Sequence, residues 1–361
     1  MTARQVFVAG ALATTVLAMG DTPGSDERRP RHMTAPVVME SRAGQLSSLR
    51  NGGAWINSPP LTATDLRGKV VLIDFWTYTC VNWRRTLPYV RGWASKYKDR
   101  GLVVIGVHSP EFPFEKDLEN VRREVKTMDI AYPVTLDNDF SIWRRFDNMG
   151  WPALYFIDAE GHVRRRQFGE GEYEQAERFI QQLLTEAGKP GIIHDLVAVA
   201  PRGAEVGADW TTLNSPETYV RHERIERFAS PGGPVLARSH TYAAPARLAL
   251  NDWALAGSWT MQKGAALLNE ASGRIVYRFH ARDVNLVMGP AARGTSVRFR
   301  VLVDGRPPGV AHGTDVDEQG RGTVAEQRLY QLIRLTAPIV DRQFEIEFLD
   351  PGIEAFDLTF G

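Results

Sequence analysis

The chain has 361 residues, 43% of them hydrophobic, and its 43 Lys and Arg are balanced by 43 Asp and Glu. This length and composition predict a globular protein of two domains. Because positive charge is not in excess, neither nucleic acid nor an anionic membrane surface is indicated as a partner. The single cysteine, Cys80, excludes an internal disulfide, so packed cores must hold the fold together.

The first 45 residues resemble a targeting segment. Arg4 precedes the uncharged stretch from Val6 to Met19, which has the length of a signal peptide and is too short to predict a stable membrane span. We assign residues 1–20 to a signal peptide and residues 21–45, rich in Pro, Gly and charge, to a disordered linker. The chain is therefore expected to be periplasmic or secreted; the alternative is an uncleaved N-terminal anchor.

Residues 46–190 alternate apolar strands with helical patterns. The runs VVLIDFW and LVVIGV are typical of buried parallel strands, and helical spacing follows Cys80. Residues 113–128 predict one amphipathic helix. The stretch ALYFIDAEGHVRRRQF predicts a hairpin, and EYEQAERFIQQLLTEAG predicts a closing helix. This order predicts an α/β domain with an open sheet.

Residues 205–361 follow a different pattern, with apolar and polar residues in alternation. Phe344, Ile346 and Phe348 would share one face of a strand, with the intervening glutamates on the other. Several short segments of this kind predict an antiparallel β-sandwich, jelly-roll-like in outline.

Cys80 directly follows a predicted strand and begins a predicted helix. Unpaired N–H groups and the helix dipole stabilise a thiolate at such a position, and Arg84 and Arg85 would add positive charge one turn further on. Such surroundings lower a thiol pKa from its usual value of about 8.5. Aromatic side chains that closed over the sulfur would raise that pKa by desolvation.

The stretch VLIDFWTYTC, with a proline eight residues after the cysteine, resembles the thioredoxin superfamily. It is more similar still to the exported, TlpA-like thioredoxin domain of DipZ-type proteins, whose motif runs approximately FWTYxCxNCxRTLPYV. The stretches WPALYFIDAEG and FGEGEYEQAE resemble that family too. SPETYVRHERIERFAS and FEIEFLDPGIEAFDLTFG resemble its appended β domain, so the resemblance covers residues 46–361.

The resemblance implies a thioredoxin fold and dithiol–disulfide exchange, with no cofactor. Cys80 matches the attacking cysteine, and Asp74 matches the buried acid that takes a proton from the second thiol. Pro152 matches the proline that follows a cis peptide bond and faces the active thiol. The expected substrate groove is formed by Trp76, Trp83, Trp151 and Pro152.

The sequence departs from the family at its second cysteine, which is replaced by Trp83. Dithiol cycling within the chain is therefore impossible. Cys80 could still form a mixed disulfide with a client protein or a small-molecule thiol, or reduce peroxides through a sulfenic acid; the alternative is an unused relic. Trp83 could cover a ligand or fill the missing thiol's space. Asp74 loses its proton donor and is expected to be neutral or bonded to water.

His108 and Glu111 lie near the predicted C-terminal edge of the sheet, where α/β active sites gather. Either could act as an acid or a base, the alternative being a structural role. The eight histidines show no metal-ligand spacing, so no metal is expected.

Two functions follow from these patterns. The first is an exported thiol oxidoreductase that acts through a single cysteine. The second is a redox-inactive cell-envelope protein whose β domain binds glycan or a protein partner. Four aromatic residues of that domain would form a sugar platform if exposed, or core if buried: Trp210, Tyr219, Trp253 and Trp259.

Overall fold

The computed structural model describes residues 43–192 and 194–361, which lie in one compact unit. The predicted signal peptide and almost all of the predicted linker lie outside the described residues. A helix begins at Ala43, so the last residues assigned to the linker are helical. Within the described residues, no helix is both long enough and apolar enough to cross a membrane.

The first half of the described chain is an α/β sheet with helices packed against it. Its strands are β1 (Trp55–Ile56), β2 (Val70–Trp76), β3 (Leu102–His108), β4 (Val134–Leu136), β5 (Ala153–Ile157) and β6 (Val163–Phe168). Its helices are α1 (Ala43–Ser47), α2 (Val81–Tyr97), α3 (Leu118–Thr127), α4 (Ser141–Arg145) and α5 (Tyr173–Glu186). The strand order is β1-β4-β3-β2-β5-β6, with β2, β3 and β4 parallel. The predicted open sheet and its closing β5–β6 hairpin are confirmed.

The helix predicted over residues 113–128 is interrupted at Asp117. A short 3-10 helix covers Pro113–Lys116, and α3 begins after it. The Asp117 carboxylate accepts hydrogen bonds from the backbone N–H groups of Glu119 and Asn120. An N-cap of this kind satisfies N–H groups at the start of a helix, so the sequence starts a second helix here instead of extending the first.

The second half is antiparallel, as predicted. Its strands are β7 (Thr218–Tyr219), β8 (Ser239–Tyr242), β9 (Trp253–Met261), β10 (Ala266–Leu268), β11 (Gly273–Phe279), β12 (Asp283–Pro290), β13 (Val297–Val303), β14 (Arg321–Val324), β15 (Arg328–Arg334), β16 (Arg342–Phe348) and β17 (Ile353–Phe360). Phe344, Ile346 and Phe348 are buried as expected. The two predicted layers are joined, because the long strand β9 pairs with β11 and with β10. The result is one curled sheet of 11 strands, a half-barrel around its own core.

The α/β and β halves share an apolar contact. Phe112 and Phe114, from the loop after β3, contact Phe356 on β17, with ring centroids 5.3 and 4.8 Å apart. Val287 and Leu329 of the β half join the same buried cluster. This contact holds the loop after β3 against β17, and that loop borders the predicted site.

Candidate functional site

Cys80 occupies the position that the sequence predicts, at the head of α2. Every residue of β2 is buried, so the strand fixes the start of the turn that leads to the cysteine. Cys80 is the N-cap of α2: its backbone is extended, and its carbonyl accepts the Arg84 N–H at 3.0 Å. The thiol itself makes no capping hydrogen bond. The residue is partly exposed and carries no disulfide.

The surroundings of the thiol decide between the two opposing effects on its pKa that the sequence indicates. Burial is the first cause that raises the pKa of Cys80 well above its ordinary value, and the carboxyl groups of Glu217 and Glu111 raise it further. The backbone N–H groups of Trp83 and Asn82 at the helix start lower the pKa of Cys80 without reversing this effect. Of the two opposing effects expected from the sequence, desolvation therefore prevails, because dense packing and negative charge outweigh the helix N-terminus.

The two arginines expected beside the thiol are engaged elsewhere. Arg84 donates to the Tyr78 carbonyl at 2.8 Å and pairs with Glu124 at 3.4 Å. Arg85 pairs with Glu170 at 2.9 Å and donates to the Phe360 carbonyl at 2.9 Å. Each guanidinium is thus committed to a carboxylate of its own. Neither is available to offset Glu111 and Glu217 near the sulfur.

Trp83 lies beneath the surface and does not line a groove. Its side chain is fully buried and stacks on Trp76, with ring centroids 4.3 Å apart. Its indole Nε1 donates a hydrogen bond to Asp74 Oδ2 at 3.0 Å. Because Trp76 is fully buried as well, the assignment of these two tryptophans to an open substrate groove is corrected. Trp83 packs in the core and supplies a hydrogen-bond donor to the buried acid.

Asp74 keeps donors although the second thiol is absent. Besides the indole of Trp83, the Tyr132 hydroxyl donates to its Oδ2 at 3.4 Å. Its other oxygen, Oδ1, has no hydrogen-bond partner in the described part of the chain. Burial raises the pKa of Asp74 to about 7, against the lowering effect of these two hydrogen bonds. This supports the expectation that Asp74 is neutral below about pH 7. Its hydrogen-bond partners are the indole of Trp83 and the phenol of Tyr132.

We expect Asp74→Asn to change how stability depends on pH. Because the pKa of Asp74 is raised in the folded state, the folded protein binds this proton more tightly than the unfolded chain does. The stability that proton binding contributes is therefore fully present below pH 4 and is lost as the pH rises through 7. The variant should match the wild type near pH 4 and exceed its unfolding free energy by about 4 kcal/mol near pH 8. Urea unfolding at the two pH values measures this. A difference between variant and wild type that did not change with pH would contradict the assignment.

The peptide bond before Pro152 is cis, as the resemblance implies. Ala153 pairs with Phe75 in the sheet, which places Pro152 at the edge where β2 ends and α2 begins. Pro152 is buried, whereas Trp151 is half-buried and contacts Trp143, with ring centroids 4.6 Å apart. Of the four predicted groove residues, Trp151 and Pro152 therefore remain at the edge that holds the thiol.

His108 and Glu111 differ in burial and in their hydrogen-bond partners. His108 ends β3 and is fully buried, and burial lowers its pKa to about 3, so its ring is neutral. Its Nε2 lies 3.5 Å from Thr77 Oγ1, which fits a packed residue. Glu111 is only partly buried and accepts a hydrogen bond from the Tyr219 hydroxyl. Burial and the neighbouring Glu217 raise the pKa of Glu111 to about 8. Of these two candidates, only Glu111 contributes to the raised pKa of the Cys80 thiol.

The β half contributes site residues that the sequence analysis did not identify. Glu217 is exposed and directly precedes β7, which pairs with the strand β17 that carries Asp357. Asp357 is 2% exposed, and burial together with Glu217 raises its pKa well above the ordinary value. Asp357 pairs with Tyr219 in the β7–β17 register. These residues lie far from Cys80 in sequence, and no spacing pattern could connect them to it.

The predicted sugar platform is not formed by its four residues. Trp253 and Trp259 are fully buried in the core of the β half. Tyr219 is hydrogen-bonded to Glu111 at the thiol site. Trp210 alone of the four is broadly exposed, at 60%. The alternative of core packing is thus confirmed for Trp253 and Trp259.

Comparison with known families matches both halves of the chain. Residues 56–166 match the AhpC/TSA family, and residues 215–361 match the thioredoxin-like C-terminal domain. Protein DipZ of Mycobacterium tuberculosis is 39% identical over 269 residues, which cover 73% of this chain and 37% of DipZ. The chain thus spans little more than a third of that relative's length.

Shorter relatives match the α/β half alone. The thiol-disulfide oxidoreductase YkuV of Bacillus subtilis is 29% identical over 133 residues, or 37% of this chain and 89% of YkuV. A solution structure of a thioredoxin-like protein in the oxidised form is 30% identical, covers 37% of this chain and 89% of its own, and gives a TM-score of 0.35.

Proposed function

We propose that this chain, a thioredoxin-like protein that joins an AhpC/TSA domain to a thioredoxin-like C-terminal domain, exchanges disulfides through Cys80 alone. The observation that carries the proposal is the position of the thiol. Cys80 is the N-cap residue of α2, just after the buried strand β2, and keeps part of its surface exposed. The similarity to thiol-disulfide oxidoreductases supports the same chemistry.

The exchange is a single step that stops at a mixed disulfide. Cys80 loses its proton, its sulfur attacks one sulfur of a partner disulfide, and that S–S bond breaks. The leaving thiolate takes up a proton and departs as a free thiol. Half of the partner stays bound to Cys80, because Trp83 offers no second thiol to displace it. A thiol from outside the chain, on a client protein or a small molecule, completes the cycle.

The pKa of Cys80 gives this chemistry its pH dependence. The thiolate is the attacking form, and burial with two nearby carboxyl groups raises the pKa that governs its population. Exchange should therefore accelerate as the pH rises beyond 9. Peroxide reduction also needs a thiolate, and neither Arg84 nor Arg85 is free to stabilise one near Cys80. Because the relatives YkuV and ResA are thiol-disulfide oxidoreductases, we place disulfide exchange ahead of peroxide reduction.

Incubation of the full chain with 2-hydroxyethyl disulfide, followed by intact-mass measurement, tests the proposal. We expect one adduct per chain, formed faster at pH 9.5 than at pH 7, and none in Cys80→Ser. An unmodified wild-type chain at both pH values would contradict single-thiol exchange. That result would favour the second hypothesis, a redox-inactive protein in which the thioredoxin fold is a scaffold.

A further inference from the structure

We propose that Glu115 is a positioning residue for the Cys80 thiol, and that through Glu115 the β half holds the turn from which the thiol reacts. The inference rests on the proposed single-thiol exchange and adds the residue that fixes the nucleophile. It also gives the C-terminal domain a part in the reaction. Glu115 lies in the 3-10 helix after β3, and its side chain is fully buried.

The Glu115 carboxyl group joins the turn before Cys80 to the loop after β3. Its Oε1 accepts the Thr79 hydroxyl at 2.6 Å and the Thr79 backbone N–H at 3.3 Å. Its Oε2 accepts the backbone N–H groups of Glu111 at 2.6 Å and of Phe112 at 2.8 Å. Because Thr79 directly precedes Cys80, one buried side chain holds the backbone on the N-terminal side of the cysteine.

Four donors at one side chain require the two oxygens of an ionised carboxylate. Each carboxylate oxygen has two acceptor sites, whereas an amide of the same shape has one oxygen and one NH2 group, which only donates. Glu115→Gln would therefore keep the bonds on one side and turn its NH2 group toward backbone N–H groups on the other. The substitution preserves the volume of the side chain and breaks the link between the turn and the loop.

The β half holds this loop from its other side. Phe112 and Phe114 contact Phe356 on β17, with ring centroids 5.3 and 4.8 Å apart. Phe356 is 4% exposed, so this contact is buried. A hydrogen bond from the Tyr219 hydroxyl to Glu111 ties β7 to the same loop. The position of the loop, and with it that of the turn before the cysteine, therefore depends on the β half.

Disulfide exchange is sensitive to the position of the attacking sulfur. The three sulfurs must lie in line as one bond forms and the other breaks, and a misplacement of about 1 Å can slow a reaction by about 100-fold. The Cys80 thiol is only partly exposed, so few directions of approach are open to a partner disulfide. A fixed turn keeps the sulfur where the partner can reach it, and a loosened turn should slow the exchange.

The rate of adduct formation with 2-hydroxyethyl disulfide at pH 9.5, measured on the full chain, tests the positioning role. We expect Glu115→Gln to slow the reaction about tenfold. Thr79→Val removes one donor and keeps the shape of the side chain, so it should slow the reaction about threefold. Thr79→Ser keeps the hydroxyl and should restore the rate to within about twofold of the wild type. Equal rates for Thr79→Val and Thr79→Ser would overturn this role.

Glu177→Gln is the matched control and should keep the wild-type rate. Glu177 on α5 is 1% exposed and, like Glu115, accepts four hydrogen bonds, two at each oxygen. Three of its donors belong to the last two turns of α2, about 20 Å along the helix from Cys80. The control therefore costs stability without reaching the thiol. Equal slowing by Glu177→Gln and Glu115→Gln would overturn the positioning role.

Phe356→Leu tests the part played by the β half. The substitution removes the ring contacts with the loop and changes no charge, and we expect it to slow the exchange about threefold. Added to Glu115→Gln, it should slow the reaction no further, because the link through which it acts is already broken. Effects that multiply in the double variant would overturn the route through Glu115.

The single variants decide if the double variant does not fold, since a wild-type rate in Phe356→Leu would overturn the role of the β half. A wild-type rate in Glu115→Gln would overturn the positioning of the thiol and leave single-thiol exchange standing. No adduct on the wild-type chain would overturn the exchange itself.

Discussion

Trp83→Cys is expected to raise the number of small-molecule thiols that each chain releases from a disulfide substrate from one to two. The wild type keeps half of each substrate disulfide on Cys80. The introduced thiol would lie one helical turn away, at the position that the thioredoxin family uses to displace the bound half. Reduced Trp83→Cys protein, mixed with 2-hydroxyethyl disulfide and freed of other reductants, should therefore release both halves as thiols. Thiol titration of the small-molecule fraction gives the ratio.

The same substitution carries a cost in stability. Trp83 is fully buried, stacks on Trp76 and donates to Asp74, so its removal leaves a cavity and takes a donor from the acid. We expect the free energy of unfolding to fall by about 3–5 kcal/mol. Trp83→Ser is the matched control, because it opens a similar cavity without a thiol. It should lose similar stability and still release one thiol per chain; two released thiols from Trp83→Ser would contradict the account.

Arg85→Ala is expected to lower the free energy of unfolding by about 3–5 kcal/mol. The Arg85 side chain is 3% exposed, pairs with Glu170 at 2.9 Å and donates to the Phe360 carbonyl on β17 at 2.9 Å. Truncation would leave a buried carboxylate without its cation and remove a polar link between the halves. Urea unfolding monitored by tryptophan fluorescence measures the loss.

Two variants separate this role from a general effect of removing an arginine. Arg178→Ala breaks an exposed pair with Glu174 on α5 and should cost at most about 0.5 kcal/mol. Adding Glu170→Gln to Arg85→Ala removes the unpaired charge and should recover part of the stability. A loss below 1 kcal/mol for Arg85→Ala would show that this link does not hold the halves together.

The elements that carry local patterns could be predicted from the sequence. The apolar runs of β2 and β3 and the alternation from Phe344 to Phe348 are patterns of residues adjacent in sequence. The structure has strands at all three places. The break at Asp117 was missed because a capping aspartate in a polar stretch gives the same helical periodicity as an uninterrupted helix. The joining of the two β layers was missed because the alternation of apolar and polar residues identifies strands but does not indicate which strands pair with each other.

The site was predicted only where a single segment builds it. The head of α2 lies within one stretch of sequence, and Cys80 was placed correctly there. The raised thiol pKa depends on Glu217 and on packing, which come from the folding of the β half against the loop after β3. The hydrogen bond from Trp83 to Asp74 depends on the orientation of the indole ring, which the sequence does not reveal. Neither contact has a sequence signature.

The fate of the mixed disulfide on Cys80 tests the central claim most directly. After reaction with 2-hydroxyethyl disulfide and removal of the excess, the intact mass of the chain is followed over time at pH 8. We predict that the adduct persists undiminished and is lost once an external thiol is added, since no described residue near Cys80 supplies a second thiol. Return of the chain to its unmodified mass without added thiol would contradict single-thiol exchange.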